Sequence, residues 1–173
     1  FKEGSTCNYE GSLWALLALY ANGEDISEYA PYLRALSSDN GKYFPSAFLV
    51  RTLAGGEEYY AKIIDGKQTR PEGAYWEMPN TAYNKYYDTS LGMLALGGGD
   101  SPEIQTANVL PYLFDKQDST GCWNNENLRD TAFVIYSAKW LRSEGFVLPD
   151  ICGDGRITGL EVCEGANLDN KNC

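Results

Sequence analysis

Three carboxylates stand at comparable points along the chain: Glu10 in "YEGSLWALLALY", Asp88 in "YDTSLGMLAL" and Asp130 in "RDTAFVIYSAKWL". Each precedes a small residue and then an apolar run. Paired carboxylates are the working groups of glycoside hydrolysis, where their separation decides the stereochemical outcome. Trp76, Tyr83, Tyr86, Tyr87 and Trp123 would line a groove beside Asp88 and Asp130, and "GAYWEMPNTAYNKYYDTS" is long, Tyr-rich and Asn-bearing, as a carbohydrate-contacting loop would be. The plainer job is capping. A carboxylate at a helix start accepts from orphan N–H groups and meets the positive end of the helix dipole. Aromatics likewise fill space between packed helices.

The chain contains no histidine. That excludes Ser-His-Asp and Cys-His nucleophiles and every His-containing metal site. Its net charge of −10, from 24 acidic and 14 basic residues, argues against nucleic acid and anionic membranes as partners. No stretch reaches the roughly 18 consecutive apolar residues of a membrane span. "FKEGSTCNYEG" lacks the apolar core of a signal peptide, so a processed start is expected. A length of 173 residues fits one domain plus a small module.

These residues must be positioned by a repeat. "YLRALSSDNGKY" (Tyr32 to Tyr43) and "YLFDKQDSTGCW" (Tyr112 to Trp123) share one spacing: Tyr-Leu, three residues, a polar residue, three residues, Gly, one residue, an aromatic. A looser copy runs through Gln68, Gly73, and Tyr75 or Trp76. An apolar helix follows each copy, and repetition at about 40 residues means stacked helical pairs. Inner helices are expected near 10–21, 45–54, 88–97 and 130–143, apolar on most sides and therefore packed on most sides. Segments such as "DISEYAPYLRALSS" and "SPEIQTANVLPYLFDKQ", apolar at three- and four-residue steps, form the outer layer. In the connecting turn the Gly supplies an unusual backbone angle, and the Gln amide bridges a helix end.

Tyr112, Leu113, Gln117, Gly121 and Trp123 resemble the QW motif of squalene and hopene cyclases. The "DTA" helix after them resembles the wider prenyltransferase and squalene-cyclase class of α/α toroids, which includes thioester-containing complement domains and cobalamin carriers. The likeness spans about Glu10 to Glu144. It implies an all-α fold of about seven helices, a toroid-like arc of hairpins over residues 1–146, with three and a half hairpins counted. It brings no catalytic residues. The cyclases' Asp-x-Asp-Asp run is absent, the prenyltransferases' zinc ligands include His, and "GSTCNYEG" offers Cys7 and Glu10 without the Gln of a thioester site. Glycosidases and polysaccharide lyases also use α/α toroids.

Residues 147–173 change composition, with four glycines and three of the five cysteines. Cys152, Gly153, Asp154, Gly155, Glu161, Cys163, Gly165, Asn167 and Cys173 resemble the cysteine-rich repeat of myxobacterial and other microbial surface proteins. That likeness implies export, to the cell surface or beyond, and a disulfide-stapled module. Within it a Cys152–Cys163 pair is expected, leaving Cys173 for a partner further along a chain that continues. Cys7 and Cys122 each precede an inner helix and could join two corners, although spacing leaves connectivity open. Structural zinc is the rival use of the cysteines. The same tail admits a calcium loop with Asp150, Asp154, the Arg156 carbonyl and Glu161 at ligand positions. Against it, Cys152 occupies a further ligand position and no helix flanks the loop, so Asp154-Gly155 also reads as a plain turn.

The expectation is therefore an exported, non-catalytic helical-repeat module without a required cofactor. It binds glycan or protein on a concave face near the inner-helix starts, beside the 75–87 loop. The alternatives are a carbohydrate-active enzyme and a structural subunit whose arc ends pair with other copies as a homo-oligomer.

Overall fold

The computed structural model describes residues 2–3, 6–52, 56–97 and 106–143, with side chains between 8 and 138. In chain order, β1 (Lys2–Glu3) pairs antiparallel with β2 (Thr6–Cys7), and helices α1 (Tyr9–Ala21), α2 (Ala30–Ala35), α3 (Pro45–Thr52) and α4 (Glu57–Gly66) follow. A hairpin of β3 (Lys67–Arg70) and β4 (Gly73–Trp76) comes next, then α5 (Lys85–Leu96), α6 (Val109–Asp115) and α7 (Leu128–Ser143). The protein is mostly helical, with seven α-helices among the described residues. The two strand pairs are additions that the all-α expectation left out.

Polar residues set where the inner helices begin. Asn8 accepts from the Gly11 N–H at 2.9 Å and opens α1. Asn84 accepts from Tyr86 and Tyr87 N–H at 3.0 and 3.2 Å and opens α5. Asn127 accepts from the Asp130 N–H at 3.1 Å at the start of α7. Each satisfies donors that the first helical turn leaves orphaned. The caps are asparagines, not the expected acids. Helix α3 instead begins on Pro45, whose missing N–H is one of those orphans anyway.

The inner helices pack in sequence order, α1 on α3, α3 on α5 and α5 on α7. Helix α5 is buried at every residue from Tyr87 to Leu96, as a helix apolar all round must be. Trp14 of α1 meets Phe48 of α3 and Phe133 of α7 edge-on, with centroids 4.8 and 5.6 Å apart. Tyr87 of α5 closes on Phe133 at 4.7 Å. These four rings meet between the inner helices. Among the described residues no helix is long and apolar enough to cross a membrane.

The repeat is visible as two matching stations. At the first, the Trp76 indole N–H donates to the Ile63 carbonyl of α4 at 2.7 Å, and the Trp76 backbone N–H donates to Thr89 Oγ1 of α5 at 3.0 Å. At the second, Trp123 donates in the same way to the Leu113 carbonyl of α6 at 2.7 Å and to Thr131 Oγ1 of α7 at 3.0 Å. Thirteen residues separate helix carbonyl from tryptophan at the first station and ten at the second. The β3–β4 hairpin takes up the three extra residues and returns the indole to the equivalent place. Gln68, aligned by spacing with the turn glutamine, therefore lies in a strand. Gln117 does bridge its turn, donating to the Gly121 carbonyl at 2.7 Å, and Gly121 has the left-handed φ of 83° expected of it.

Candidate functional site

The N-terminal ends of α1, α5 and α7 carry a joined set of tyrosines, carboxylates and amides. Glu10 accepts from the Tyr83 hydroxyl, and the Tyr83 ring leans on Tyr87 with centroids 4.3 Å apart. Arg129 lies over the Tyr87 ring at 4.7 Å and puts two guanidinium nitrogens on Asp130 Oδ1, each at 2.9 Å. Asp130 Oδ2 takes the side-chain amides of Asn84 and Asn124, both at 2.6 Å. One buried carboxylate thus ties the cap of α5 to the approach of α7. That approach is unusual: Asn124, Asn125 and Glu126 have φ of 55, 54 and 62°. A left-handed run of three non-glycine residues is strained, by roughly 1–2 kcal/mol per ordinary residue. It aims the Asn124 amide at Asp130.

Asp88 works on the other side of α5. Its Oδ2 accepts from the Met78 N–H and the Thr81 hydroxyl, each at 3.0 Å, while the buried Oδ1 has no partner. Burial pushes its pKa up from 3.8 to about 6, against the lowering pull of Met78 and Thr81. Burial likewise raises Tyr9 and Tyr87 to about 12, and raises Tyr83 further with help from its hydrogen bond to Glu10. These phenols stay neutral near pH 7, as hydrogen-bond donors rather than bases.

The residues expected to bind therefore divide. Trp76, Trp123, Asp88 and Asp130 are all buried, so they offer little surface to a ligand. The reason is the station geometry, which needs the indoles inside the stack and the acids beneath the loops. Tyr83 and Tyr87 join the cluster with Asp130, and Tyr87 is itself buried. Tyr86 stays half-exposed, with the Lys85 ammonium 5.4 Å from its ring centre. Spacing missed Asn84, Asn124 and Arg129. A signal existed for the caps, since Asn8, Asn84 and Asn127 each fall two to four residues before an acid.

A cleft of about 500 Å³ lies between the 37–46 turn, the end of α4 and residues 77–79. Its polar lining comes from Ser37, Ser46, Lys62, Asp65, Gln68 and Glu77, over Phe44 and Met78. The volume falls within the range of small-ligand sites.

Among the described residues no group of three or more Cys, Asp or Glu side chains gathers as a metal site. Asp150, Asp154, Arg156 and Glu161 lie outside the described residues, as do Cys152 and Cys163. Cys122, one of the two cysteines that could join corners of the arc, carries a free thiol. The side chain of Cys7 lies outside the described ones. The turn holding Cys122 is closed instead by Asp118, which exchanges bonds with the Cys122 N–H and carbonyl at 2.9 Å each.

Compared with protein-family models, curated proteins and solved structures, the chain matches none.

Proposed function

We propose that the chain is a non-catalytic helical-repeat module, an α/α toroid-like arc in architecture, that binds a glycan in the 37–46/77–79 cleft. The observation carrying this reading is the cleft's lining. Hydroxyls, an amide, carboxylates and an ammonium line it together with Phe44, Pro45, Met78 and Pro79, a mixed lining that suits a polyhydroxylated ligand with one apolar face. Glu10, Asp88 and Asp130 favour binding over hydrolysis, because each already serves a hydrogen bond within the protein. The cysteine-rich segment 147–173 fits the same reading as a connector in an exported or surface-displayed protein, with calcium on Asp150, Asp154, Arg156 and Glu161 an open part of it.

A glycan array probed with the full chain, followed by titration of the best ligand, tests this. Asp65→Ala and Gln68→Ala should each weaken binding about tenfold, the loss of roughly one net hydrogen bond. Tyr86→Ala, outside the cleft, should not. Absence of any glycan ligand, or unchanged affinity in both cleft variants, contradicts the proposal. Capture of a protein instead moves the ligand class, and release of new reducing ends returns the enzyme reading.

A further inference from the structure

Residues 77–82 form one wall of the cleft and at the same time cover Asp88. Glu77, Met78 and Pro79 line the cleft, while the Met78 N–H and the Thr81 hydroxyl both donate to Asp88 Oδ2 at 3.0 Å. Between those two donors the chain turns tightly. Asn80 has a left-handed φ of 61°, and the Thr81 N–H points back to the Met78 carbonyl at 3.5 Å. Pro79 followed by a left-handed Asn80 is what a type II turn takes. The Met78 side chain lies against Gly66 at the end of α4, where an added Cβ would stand 2.5 Å from its sulfur. The Ala82 N–H donates to the Lys42 carbonyl at 2.8 Å, which ties this wall to the 37–46 turn. Of these anchors Asp88 alone can change its charge.

Asp88 is 1% exposed, and its Oδ1 has no partner among the described residues. The ionised carboxylate leaves charge on an oxygen without a donor. The neutral acid can carry its proton there and keep Oδ2 as acceptor for both donors of the turn. Charges on neighbouring elements do not offset the difference. Glu77, at the end of β4, bears on Asp88 with the same sign. Arg51 of α3 reaches the Leu94 carbonyl further along α5, Arg129 of α7 pairs with Asp130, and the Lys42 ammonium lies over Tyr43. Burial is the main cause of the raised Asp88 pKa of about 6, opposed by Met78 and Thr81 and aided by Glu77.

We propose that residues 77–82 are a proton-gated strap on the cleft, held down over neutral Asp88 and loosened when that carboxyl ionises. Opening the strap hydrates Oδ1, so the open state gives up the proton near the ordinary 3.8 and the closed state near 6. The closed state therefore binds the proton more tightly, and its advantage is complete below about pH 4 and gone above about pH 6. A ligand that needs the closed wall binds in proportion to the closed fraction, so mildly acidic solution favours it. Asp88 is then a positioning residue, acting on the cleft through Met78 and Thr81. The strap goes beyond the glycan reading and stands whichever ligand the cleft takes.

Amide hydrogen exchange of the full chain, followed by NMR, tests this without a ligand, so a failed glycan search leaves the result standing. After correction for the intrinsic pH dependence of exchange, opening at Met78 and Ala82 should rise up to about tenfold per pH unit between pH 4 and 6, then level off. Low urea should leave it unchanged, because local opening exposes little surface, whereas core amides such as Leu91 should exchange by urea-sensitive unfolding. Asp88→Asn should abolish the rise at Met78 and Ala82. Thr81→Val, which removes one donor and leaves the carboxyl, should raise opening at every pH and keep the slope. Wild-type opening that is flat with pH overturns the proposal. So does a rise that survives in Asp88→Asn or occurs only through urea-sensitive unfolding. If Asp88→Asn does not fold, Thr81→Val decides: a strap as firmly closed as in wild type shows that it does not hang on Asp88.

Discussion

The Trp76 and Trp123 stations use the same hydrogen bonds to the same atom types at equal lengths, yet they treat their acids in opposite ways. Asp130 is saturated: two amides on one oxygen and two guanidinium nitrogens on the other. Asp88 receives two donors on one oxygen and none on the other. A buried charge that is fully hydrogen-bonded and paired is tolerated, whereas one with an oxygen left unpartnered is held at a cost. The repeat thus fixes backbone and indole geometry while leaving each carboxylate to its local donors. The first station is also closed on both sides, by α5 and by α6. Among the described residues the second lines a groove of about 400 Å³ between α6 and α7.

The largest expected effect separates the stations by enclosure. Trp76→Ala should destabilise by about 4 kcal/mol in urea unfolding, within the range for truncating a buried aromatic. Trp123→Ala should lose less, since it lines that groove. Equal losses would mean that enclosure does not distinguish the two sites. Next comes Asp130→Ala, which strands two amides and an arginine and should remove about 3 kcal/mol; a loss below 1 kcal/mol would show the network to be incidental. Smaller again is Gly92→Ala. Helix propensity alone favours alanine by nearly 1 kcal/mol, but the added Cβ would stand 2.6 Å from the Trp76 ring, and overpacking of that kind costs about 1–3 kcal/mol. A net loss near 1 kcal/mol is expected in thermal unfolding, and a gain would show that the ring can shift.

Much of the scaffold was readable from spacing. The four inner helices fall at 9–21, 45–52, 85–96 and 128–143, close to the expected spans, because long apolar runs bounded by Gly and Asn leave little alternative. The hairpin was hidden: three inserted residues preserve the indole's destination while spoiling the spacing, and Gln68 stands where the turn glutamine would be sought. The acids misled for a related reason. They sit two to four residues beyond the true caps, so they mark helix starts correctly while acting on neighbouring loops. The cleft was beyond reach of periodicity, since Ser37, Lys62 and Glu77 are brought together only by packing.

Stability measured against pH in Asp88→Asn and Asp130→Asn tests most directly whether these acids serve the fold as assigned. The native pKa of Asp88, about 6, lies above its ordinary 3.8. The native state therefore holds this proton more tightly than the unfolded chain, and its stabilisation is full below about pH 4 and is lost as pH rises through about 6. The penalty at pH 7 is at most about 3 kcal/mol. Asp88→Asn should flatten the decline between pH 4 and 6 and match or exceed wild-type stability at pH 7, whereas Asp130→Asn should be less stable than wild type at pH 7. If the two substitutions shift stability equally and in the same direction, the contrast drawn between the stations is wrong.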